Sequence, residues 1–297
     1  GMLSPVCTRA GVGMTGIGTG FGSMSETTSN LDEIVSAVAA ARKYRSVCKD
    51  TLYRIAEREL ATYQNLKAAT KATKRRLHQV YGAFERDWDY DTAYQQLEGA
   101  YRQGTAPGIE AACRQVMELH SSTRERLPIL DRFYPAIFRI TGRPSSILDA
   151  GCGLNPLALP WMDLPAGARY VALDIDAARV DFLNRYLALA GTEPLARCQD
   201  VLSHPPTDRA DVALLLKMSP TLERQETGAT LRLIEQLDAQ HVVVSYAVKS
   251  LGGREKGMLE SYEQHFRETV SDRDWSIEKL VFDTELVLIA APLSHGG

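Results

Sequence analysis

Residues 147–157, with the sequence ILDAGCGLNPL, form the segment of the chain that most clearly indicates chemistry. A short apolar run leads into Gly151 and Gly153, and a helix is predicted to begin directly after them. Glycines let a backbone approach a ligand closely, and the free N–H groups of the following helix can bind it. About twenty residues later a second apolar run ends at Asp174, followed by Ile175, where an acid would bind ribose hydroxyls. The spacing therefore predicts an adenosine site formed by Gly151, Gly153, Asp174 and Ile175.

The residues around the two glycines distinguish between two classes of cofactor. A dinucleotide fingerprint has a third glycine after Gly-x-Gly, which permits close helix packing over a pyrophosphate. Here Asn155 and Pro156 follow instead, and Asp149 just before the loop would repel a pyrophosphate and attract a cation. S-adenosylmethionine carries both an ammonium and a sulfonium group. We therefore predict S-adenosylmethionine as the cofactor, with Asp149 among the residues that bind it.

Further candidate residues follow the later predicted strands. Asp200 and Val201 come after the third strand, where a carboxylate and an apolar side chain would contact the amino group and ring of adenine. Lys217 and Met218 end the fourth strand, and a lysine buried there would need a partner. Tyr246 ends the fifth strand and is predicted to stack on a flipped base. Lys217, Met218 and Tyr246 are thus the candidates for positioning the substrate, without a general base.

The elements that must position these residues change character along the chain. From residue 146 onwards, strands predicted at 146–149, 169–174, 196–199, 211–216 and 241–246 alternate with helices. Such alternation is typical of a parallel sheet covered on both faces, with ligands bound beyond the carboxyl ends of its strands. Segments 276–282 and 285–291 predict a closing antiparallel hairpin. The arrangement resembles the α/β, Rossmann-like fold of class I S-adenosylmethionine-dependent methyltransferases, with a doubly wound sheet.

The part of the chain before the sheet is predicted to be helical almost throughout. Asn30 with Glu33 is a candidate capping box for a first helix, and Asn65 is a candidate cap for a third. Gly142-Arg143-Pro144 marks a boundary. We predict three parts: a disordered or non-native leader at 1–23, an all-helical domain at 24–143 and a methyltransferase domain at 144–297.

Charge is distributed unevenly along the chain despite a net charge of −3. Residues 1–143 carry 20 Lys and Arg against 15 Asp and Glu, and the remaining residues carry 14 against 22. In the helical domain, Lys67, Lys71, Lys74 and Arg75 recur at intervals of one helical turn, so they would form one basic stripe. A second basic segment after the fifth strand contains Lys249, Arg254 and Lys256. Such surfaces favour phosphate, so both are predicted to bind RNA, although a solvated helical face would show the same pattern.

Composition excludes several other classes of protein. The chain has 297 residues, of which 44 % are hydrophobic, so it is long enough for one large or two modest domains. It has no apolar run of membrane-spanning length and no secretory leader. Its five cysteines are scattered without a Cys-x-x-Cys pair, so neither a disulfide framework nor a metal site is indicated. We expect a soluble, cytoplasmic protein without a metal.

Four motifs together are more specific than the glycine loop: HSSTRERLP (120–128), LDAGCGLNPL, LLLKMSPTLERQ and KSLGGREKGM. They resemble motifs of the aminoglycoside-resistance 16S ribosomal RNA (guanine-N7) methyltransferases, and the resemblance covers nearly the whole chain from about residue 24. It implies S-adenosylmethionine-dependent methylation of guanine N7 in the decoding A site of the 30S subunit. It also implies that Arg126 binds the carboxylate of the cofactor. The sequence SYAV at 245–248 departs from the family's expected Ser-Phe-Pro run, which puts the role of Tyr246 in doubt.

Three other functions remain open on the sequence alone. A small-molecule methyltransferase would not need the basic stripe. A ribosome-binding protein with a methyltransferase-like fold would have no catalytic activity. A nicotinamide oxidoreductase is disfavoured by Asn155 and Pro156. Guanine N7 has a free lone pair and no proton to remove, so methylation there needs no general base, and a monomer acting on the ribosomal subunit is the simplest expectation.

Overall fold

The computed structural model describes residues 24–63, 65–82, 89–248, 256–271 and 274–293, without the side chains of residues 24–26, 256 and 258. The predicted leader at 1–23, together with Lys249 and Arg254, lies outside the described residues. Lys256 begins a helix, but its side chain is outside them as well. Among the described residues, no helix is both long enough and apolar enough to cross a membrane.

In the part of the chain that the structure describes, seven helices precede the sheet. They are α1 (Met24–Ala39), α2 (Lys49–Thr62), α3 (Leu66–Leu77), α4 (Tyr90–Gln103), α5 (Ala106–Met117), α6 (Ser121–Arg126) and α7 (Leu130–Thr141). A 3-10 turn at Arg42–Tyr44 links α1 to α2, and a π-helical turn at His78–Gly82 extends α3. The predicted helical character of this region is confirmed.

Local signals explain where most of these helices begin and end. Asn65 caps α3 as predicted, because its side-chain oxygen accepts a hydrogen bond from the backbone N–H of Ala68 at 3.2 Å. The predicted cap at Asn30 is wrong, since α1 begins at Met24 and already includes that residue. Pro135 lies inside α7, which nevertheless continues to Thr141. The buried apolar face of α7 stabilises the helix across that residue.

The sheet has seven strands: β1 (Ser146–Ala150), β2 (Arg169–Asp174), β3 (Leu195–Cys198), β4 (Ala210–Leu216), β5 (Ala239–Ala247), β6 (Trp275–Val281) and β7 (Glu285–Pro292). Their order is β3-β2-β1-β4-β5-β7-β6. The first five strands are parallel, and β7 pairs antiparallel with both β5 and β6. The predicted parallel sheet with a terminal antiparallel hairpin is confirmed. Strand order reverses beside β1, so the carboxyl ends of β1, β2 and β4 enclose the position where such sheets bind ligands.

Helices connect the parallel strands. After β1 the chain forms a 3-10 helix at Asn155–Trp161, where Pro156 occupies the first turn. Between the strands lie α8 (Ala177–Leu189), α9 (Ser219–Gln225), α10 (Ala229–Gln236) and α11 (Lys256–Thr269). The helices α9 and α10 are separate, because Gly228 between them adopts a left-handed conformation with φ +75°.

Three hydrophobic clusters hold the fold together. One cluster joins α4, α5 and α7 to one face of the sheet, including Leu97, Phe133 and Val287. A second joins the other face to α9–α11, including Leu233 and Phe266. A third lies within α1–α3. The packing thus groups α4–α7 with the sheet, whereas the division at residue 143 was predicted from a change in sequence pattern alone.

Helices α1–α3 dock on the segment that follows β2. The backbone N–H of Cys48 donates to the carbonyl oxygen of Ile175 at 2.6 Å, and that of Ala177 donates to Ser46 at 2.8 Å. The Tyr81 hydroxyl donates to Asp176 at 2.7 Å. These contacts place the three helices, which we call the helical cap (residues 24–82), directly beside the predicted ribose-binding acid.

Candidate active site

A cavity of about 500 Å³ lies at the carboxyl ends of the parallel strands. This volume is typical of a small-molecule site. Eight of the residues selected from the sequence line it: Gly151, Gly153, Asp174, Ile175, Asp200, Val201, Lys217 and Met218. Three others, Arg126, Asp149 and Tyr246, do not. The helical cap supplies part of the wall through Arg54, Val80 and Tyr81.

The glycine loop has the backbone conformation that its glycines suggested. Gly151 and Gly153 have φ values of +63° and +53°, in the left-handed region that disfavours other residues. A Cβ atom at Gly151 would lie 2.8 Å from the sulfur of Met218, and one at Gly153 would lie 2.8 Å from Cε1 of His120. The backbone at both positions is therefore part of the cavity wall, where a side chain would not fit.

Asp174 is held in a fixed position beside this loop. Its carboxylate accepts a hydrogen bond from the backbone N–H of Gly153 at 2.9 Å and another from that of Asp176 at 3.0 Å. The Arg179 guanidinium donates to both of its oxygens at 3.0 Å. Since Asp174 is buried yet lines the cavity, it presents a preorganised carboxylate to a ligand.

Asp200 occupies the other end of the cavity. Its Oδ1 accepts from the backbone N–H of Leu202 at 2.9 Å, and its Oδ2 accepts from Arg54 of the helical cap. Val201 beside it is buried and apolar. The pair combines an acceptor with an apolar surface, as expected for an adenine-binding site.

Lys217 and Met218 follow β4 at the centre of the cavity rim. Lys217 has φ +58°, a strained conformation for a residue with a side chain, and such strain tends to occur at functional sites. Its ammonium donates to Glu125 at 2.9 Å and to the carbonyl oxygen of Ser122 at 3.1 Å. Helix α6 thus supplies the partner that a buried lysine requires. These contacts connect α6 to the end of β4.

Arg126 is buried behind the cavity and is paired with Glu285. Its guanidinium donates to the Glu285 carboxylate at 2.8 Å and to Oδ1 of Asn155 at 2.9 Å, and both charged side chains are almost fully buried. Although burial opposes ionisation of Glu285, Arg126 and Lys217 hold its pKa below the usual value. Arg126 would have to separate from Glu285 to bind a cofactor carboxylate as predicted.

Asp149 likewise faces the interior and not the cavity. It accepts hydrogen bonds from the Tyr170 hydroxyl at 2.7 Å and from the side-chain amide of Asn155 at 2.9 Å. Its burial raises its pKa to about 6, despite those hydrogen bonds. Asp149 therefore supports the glycine loop through Asn155, and it stands where no cation could reach it without rearrangement.

This raised pKa predicts a measurable pH dependence. Between the unfolded pKa of about 4 and the folded pKa the native protein binds the extra proton, so stability falls as pH rises through that window. Asp149→Asn removes the ionisation. From about pH 5 to about pH 7 we expect wild type to lose roughly 1 kcal/mol more unfolding free energy than this variant, measured by urea denaturation. The control is Asp163→Asn, at a carboxylate whose side chain is 90 % exposed; its unfolding free energy should change with pH as in wild type. The same pH dependence in all three proteins would contradict the assignment of this effect to Asp149.

Tyr246 lies in the core and not at the cavity, so the predicted base-stacking position is wrong for this side chain. Alternate residues of β5 face opposite sides of the sheet, and Tyr246 shares its side with Val244 in the second hydrophobic cluster. It is 2 % exposed, and its ring is stacked on Tyr262 with 4.6 Å between centroids. Tyr262 does line the cavity, as Tyr81 of the helical cap does.

Several site residues were not found from the sequence. Arg54 and Tyr81 reach the site from the helical cap, and Glu285 reaches it from the last strand; no local pattern marks them. His120 lines the cavity against Gly153 within the HSSTRERLP motif, which was an available signal. Burial and the nearby arginines lower the pKa of His120 well below its usual value. Burial raises the pKa of the Cys152 thiol, so that side chain is uncharged and fits the space-filling role predicted for it.

The predicted basic stripe forms one side of α3. Lys67, Lys71 and Arg75 are exposed and Lys74 is half-buried, while Ala69 and Leu77 face the core of the helical cap. With Glu33 and Asn65, the three lysines line a shallow groove. Since α3 runs directly into the turn that carries Val80 and Tyr81, the stripe leads towards the cavity. Within the described ranges, no group of three His, Cys, Asp or Glu side chains could hold a metal ion.

Comparisons with known proteins agree on one family. Residues 40–289 match the family described as "Ribosomal RNA methyltransferase (FmrO)". A 16S rRNA (guanine(1405)-N(7))-methyltransferase from Frankia casuarinae is 38 % identical over 276 residues, covering 92 % of this chain and 97 % of that protein. The enzyme of the same name from Micromonospora echinospora is 37 % identical, covering 89 % and 98 % of the two chains.

Solved structures give the same result. The crystal structure of the 16S rRNA methyltransferase RmtF in complex with S-adenosyl-L-homocysteine superposes with a TM-score of 0.75 at 31 % identity, covering 89 % of this chain and 98 % of that one. The 16S rRNA methylase RmtB gives 0.73 at 27 % identity, covering 88 % and 98 %. The family match over residues 40–289 and the similarity to these structures give one conclusion: this chain is a member of the FmrO family of ribosomal RNA methyltransferases.

Proposed function

We propose that this protein transfers the methyl group of S-adenosylmethionine to N7 of the guanine that corresponds to position 1405 of 16S rRNA, and thereby confers aminoglycoside resistance. The observation that carries the proposal is a cavity with a glycine loop and two fixed carboxylates. The basic stripe lies on α3, the helix that runs into the turn carrying Val80 and Tyr81 in the cavity wall. The two relatives described above are named for methyl transfer to N7 of this guanine.

The cavity fits S-adenosylmethionine in its residue types. Gly151 and Gly153 line the cavity with backbone, since a side chain at either position would collide with Met218 or His120. Asp174 offers a carboxylate for ribose hydroxyls, and Asp200 with Val201 offers an acceptor and an apolar surface for adenine. When bound, S-adenosylmethionine supplies an electrophilic methyl group on a sulfonium. Lys217 and Met218 line the same cavity, and we propose that they contact the substrate there.

The residues around the cavity suit an acceptor that has no proton to lose. Guanine N7 presents a lone pair, so attack does not require a general base, and the cavity need only align the reacting atoms. Alignment alone contributes about 7 kcal/mol or more in the best cases. His120 is buried and packs against Gly153, so it supports the shape of the glycine loop.

The acceptor is proposed to be the 30S subunit, bound by a monomer in the cytoplasm. RNA presents regularly spaced phosphates, which a row of lysines on one helix can follow. About 13 residues separate Lys67 from Val80 along α3 and its extension, or roughly 20 Å at helical rise. A duplex bound along the stripe would therefore bring a neighbouring nucleotide to the cavity rim, where base flipping or local distortion exposes N7.

Mapping the methylated nucleotide on 30S subunits tests the function directly. Subunits treated with the protein and S-adenosylmethionine should yield 16S rRNA that breaks at one new position after borohydride and aniline, because that treatment cleaves at 7-methylguanine. Naked 16S rRNA is the matched substrate and should react far less. S-adenosylhomocysteine binding without any new break would favour a small-molecule methyltransferase. Absence of both would indicate a ribosome-binding protein without activity.

A further inference from the structure

Arg54 is the residue through which the helical cap enters the cofactor cavity. It lies on α2, and its guanidinium donates to Oδ2 of Asp200 from Nε at 3.0 Å and from Nη2 at 2.7 Å. The same Nη2 donates to Oε1 of Gln225 on α9 at 2.8 Å. Arg54 therefore joins the loop after β3 to α9 across one end of the cavity.

Each group that Arg54 contacts is itself fixed. The second oxygen of Asp200 accepts from the backbone N–H of Leu202, so both oxygens of the carboxylate are oriented. The amide nitrogen of Gln225 donates to the carbonyl oxygen of Thr221 at 3.3 Å, which leaves its oxygen free to accept from Arg54. The Asp200 side chain is 3 % exposed and that of Arg54 is 25 % exposed, so the pair is shielded from water on one side only.

The backbone that carries Arg54 is also held in place. The first residue before α2, Cys48, donates its backbone N–H to Ile175, and Tyr81 binds Asp176. Arg54 lies less than two turns into α2 from that anchor. The helix thus cannot move away from the sheet without breaking contacts beside Asp174. Helix α2 therefore contacts the cavity at both its predicted ribose end and its predicted adenine end.

We propose that Arg54 is a positioning residue for the cofactor. By pairing with Asp200 it orients the carboxylate that accepts from the adenine amino group, and by bridging to Gln225 it closes that end of the cavity. The inference deepens the proposed function and rests on it. In this proposal, residues of both the sheet and the helical cap form the cofactor site.

Calorimetric titration with S-adenosylhomocysteine, in the absence of RNA, tests this role. Arg54→Ala should weaken binding about tenfold, the lower range expected for hydrogen bonds between charged groups. Arg54→Lys keeps the charge but cannot bridge two acceptors with a planar fork, so it should bind with intermediate affinity. Arg58→Ala is the matched control, since Arg58 is exposed one turn further along α2. It should bind like wild type.

A double-mutant cycle and steady-state kinetics separate positioning from simple stability. Asp200→Asn and Arg54→Ala should be non-additive in S-adenosylhomocysteine affinity, because each removes the same pair. On 30S subunits, Arg54→Ala should raise the KM for S-adenosylmethionine with little change in kcat. A merely structural loss would lower kcat through the active fraction and leave that KM unchanged.

The outcomes distinguish this proposal from the proposed function. Wild-type protein that does not bind S-adenosylhomocysteine would overturn the function itself. Wild-type binding together with unchanged or tighter binding by Arg54→Ala would overturn only the role of Arg54, and tighter binding would show that Arg54 competes with adenine for Asp200. If the alanine variant does not fold, wild-type affinity in Arg54→Lys would overturn the role equally.

Discussion

Replacing Glu285 with alanine is expected to lower the unfolding free energy by about 3–5 kcal/mol, the loss typical of removing one partner of a buried ion pair. Glu285 is fully buried, and it accepts hydrogen bonds from Arg126 at 2.8 Å and from Ser245 at 2.5 Å. The Lys217 ammonium lies 3.5 Å away. Without this carboxylate, the buried Arg126 would lose the counterion to which it is hydrogen-bonded. Urea denaturation measures the loss.

Two companion variants make this result specific. Glu278→Ala, at an exposed position on the neighbouring strand β6, should change stability by less than about 0.5 kcal/mol. Combining Glu285→Leu with Arg126→Met removes both charges and should recover part of the loss, because an apolar pair of similar volume avoids the uncompensated charge. A double variant that loses the sum of both single losses would show that the pair is not the cause.

Reversing the charges of Lys67, Lys71 and Lys74 to glutamate is expected to reduce methylation of 30S subunits by more than about 100-fold while leaving S-adenosylhomocysteine affinity unchanged. Each phosphate that a lysine neutralises releases counterions. Loss of three such contacts should therefore reduce the slope of log binding constant against log salt concentration by about three. Single-turnover methylation across a salt series measures both effects.

The control for this variant carries the same change in charge elsewhere. Arg102, Arg139 and Arg209 are exposed and lie outside the helical cap. Their reversal to glutamate lowers net charge equally, so it should weaken methylation only through the general field of the protein. Equal loss in both triple variants would mean that the stripe has no specific role. Full activity in the lysine variant would favour a small-molecule substrate.

Local patterns predicted the sheet and the glycine loop well. The strands β1, β2 and β4 are buried runs bounded by turn residues. Because strands and helices alternate along the chain, few sheet topologies are possible. The left-handed φ values at Gly151 and Gly153 follow from the same residue types that indicated a ligand. Period-two alternation along β5 could also have placed Tyr246 in the core, since Val244 and Val248 share its side.

Contacts between distant parts of the chain could not be predicted in this way. Arg54 and Asp200 are 146 residues apart, and Arg126 and Glu285 are 159 apart. Nothing in the neighbourhood of either arginine specifies its partner, because an ion pair depends on where whole elements dock. For that reason the pairing of Arg126 with Glu285 could not be predicted from the HSSTRERLP motif.

The docking of the helical cap beside Asp174 has a consequence for inhibitor selectivity. Methyl donor sites in Rossmann-like folds resemble one another at the glycine loop and the ribose-binding acid, so a compound that mimics only the donor is unselective. Arg54 and Tyr81 give this cavity a wall that comes from outside the sheet. A compound that extends from the ribose position to a carboxylate or acceptor group facing Arg54 would gain its extra affinity from this wall. Enzymes that share only the sheet would not offer it.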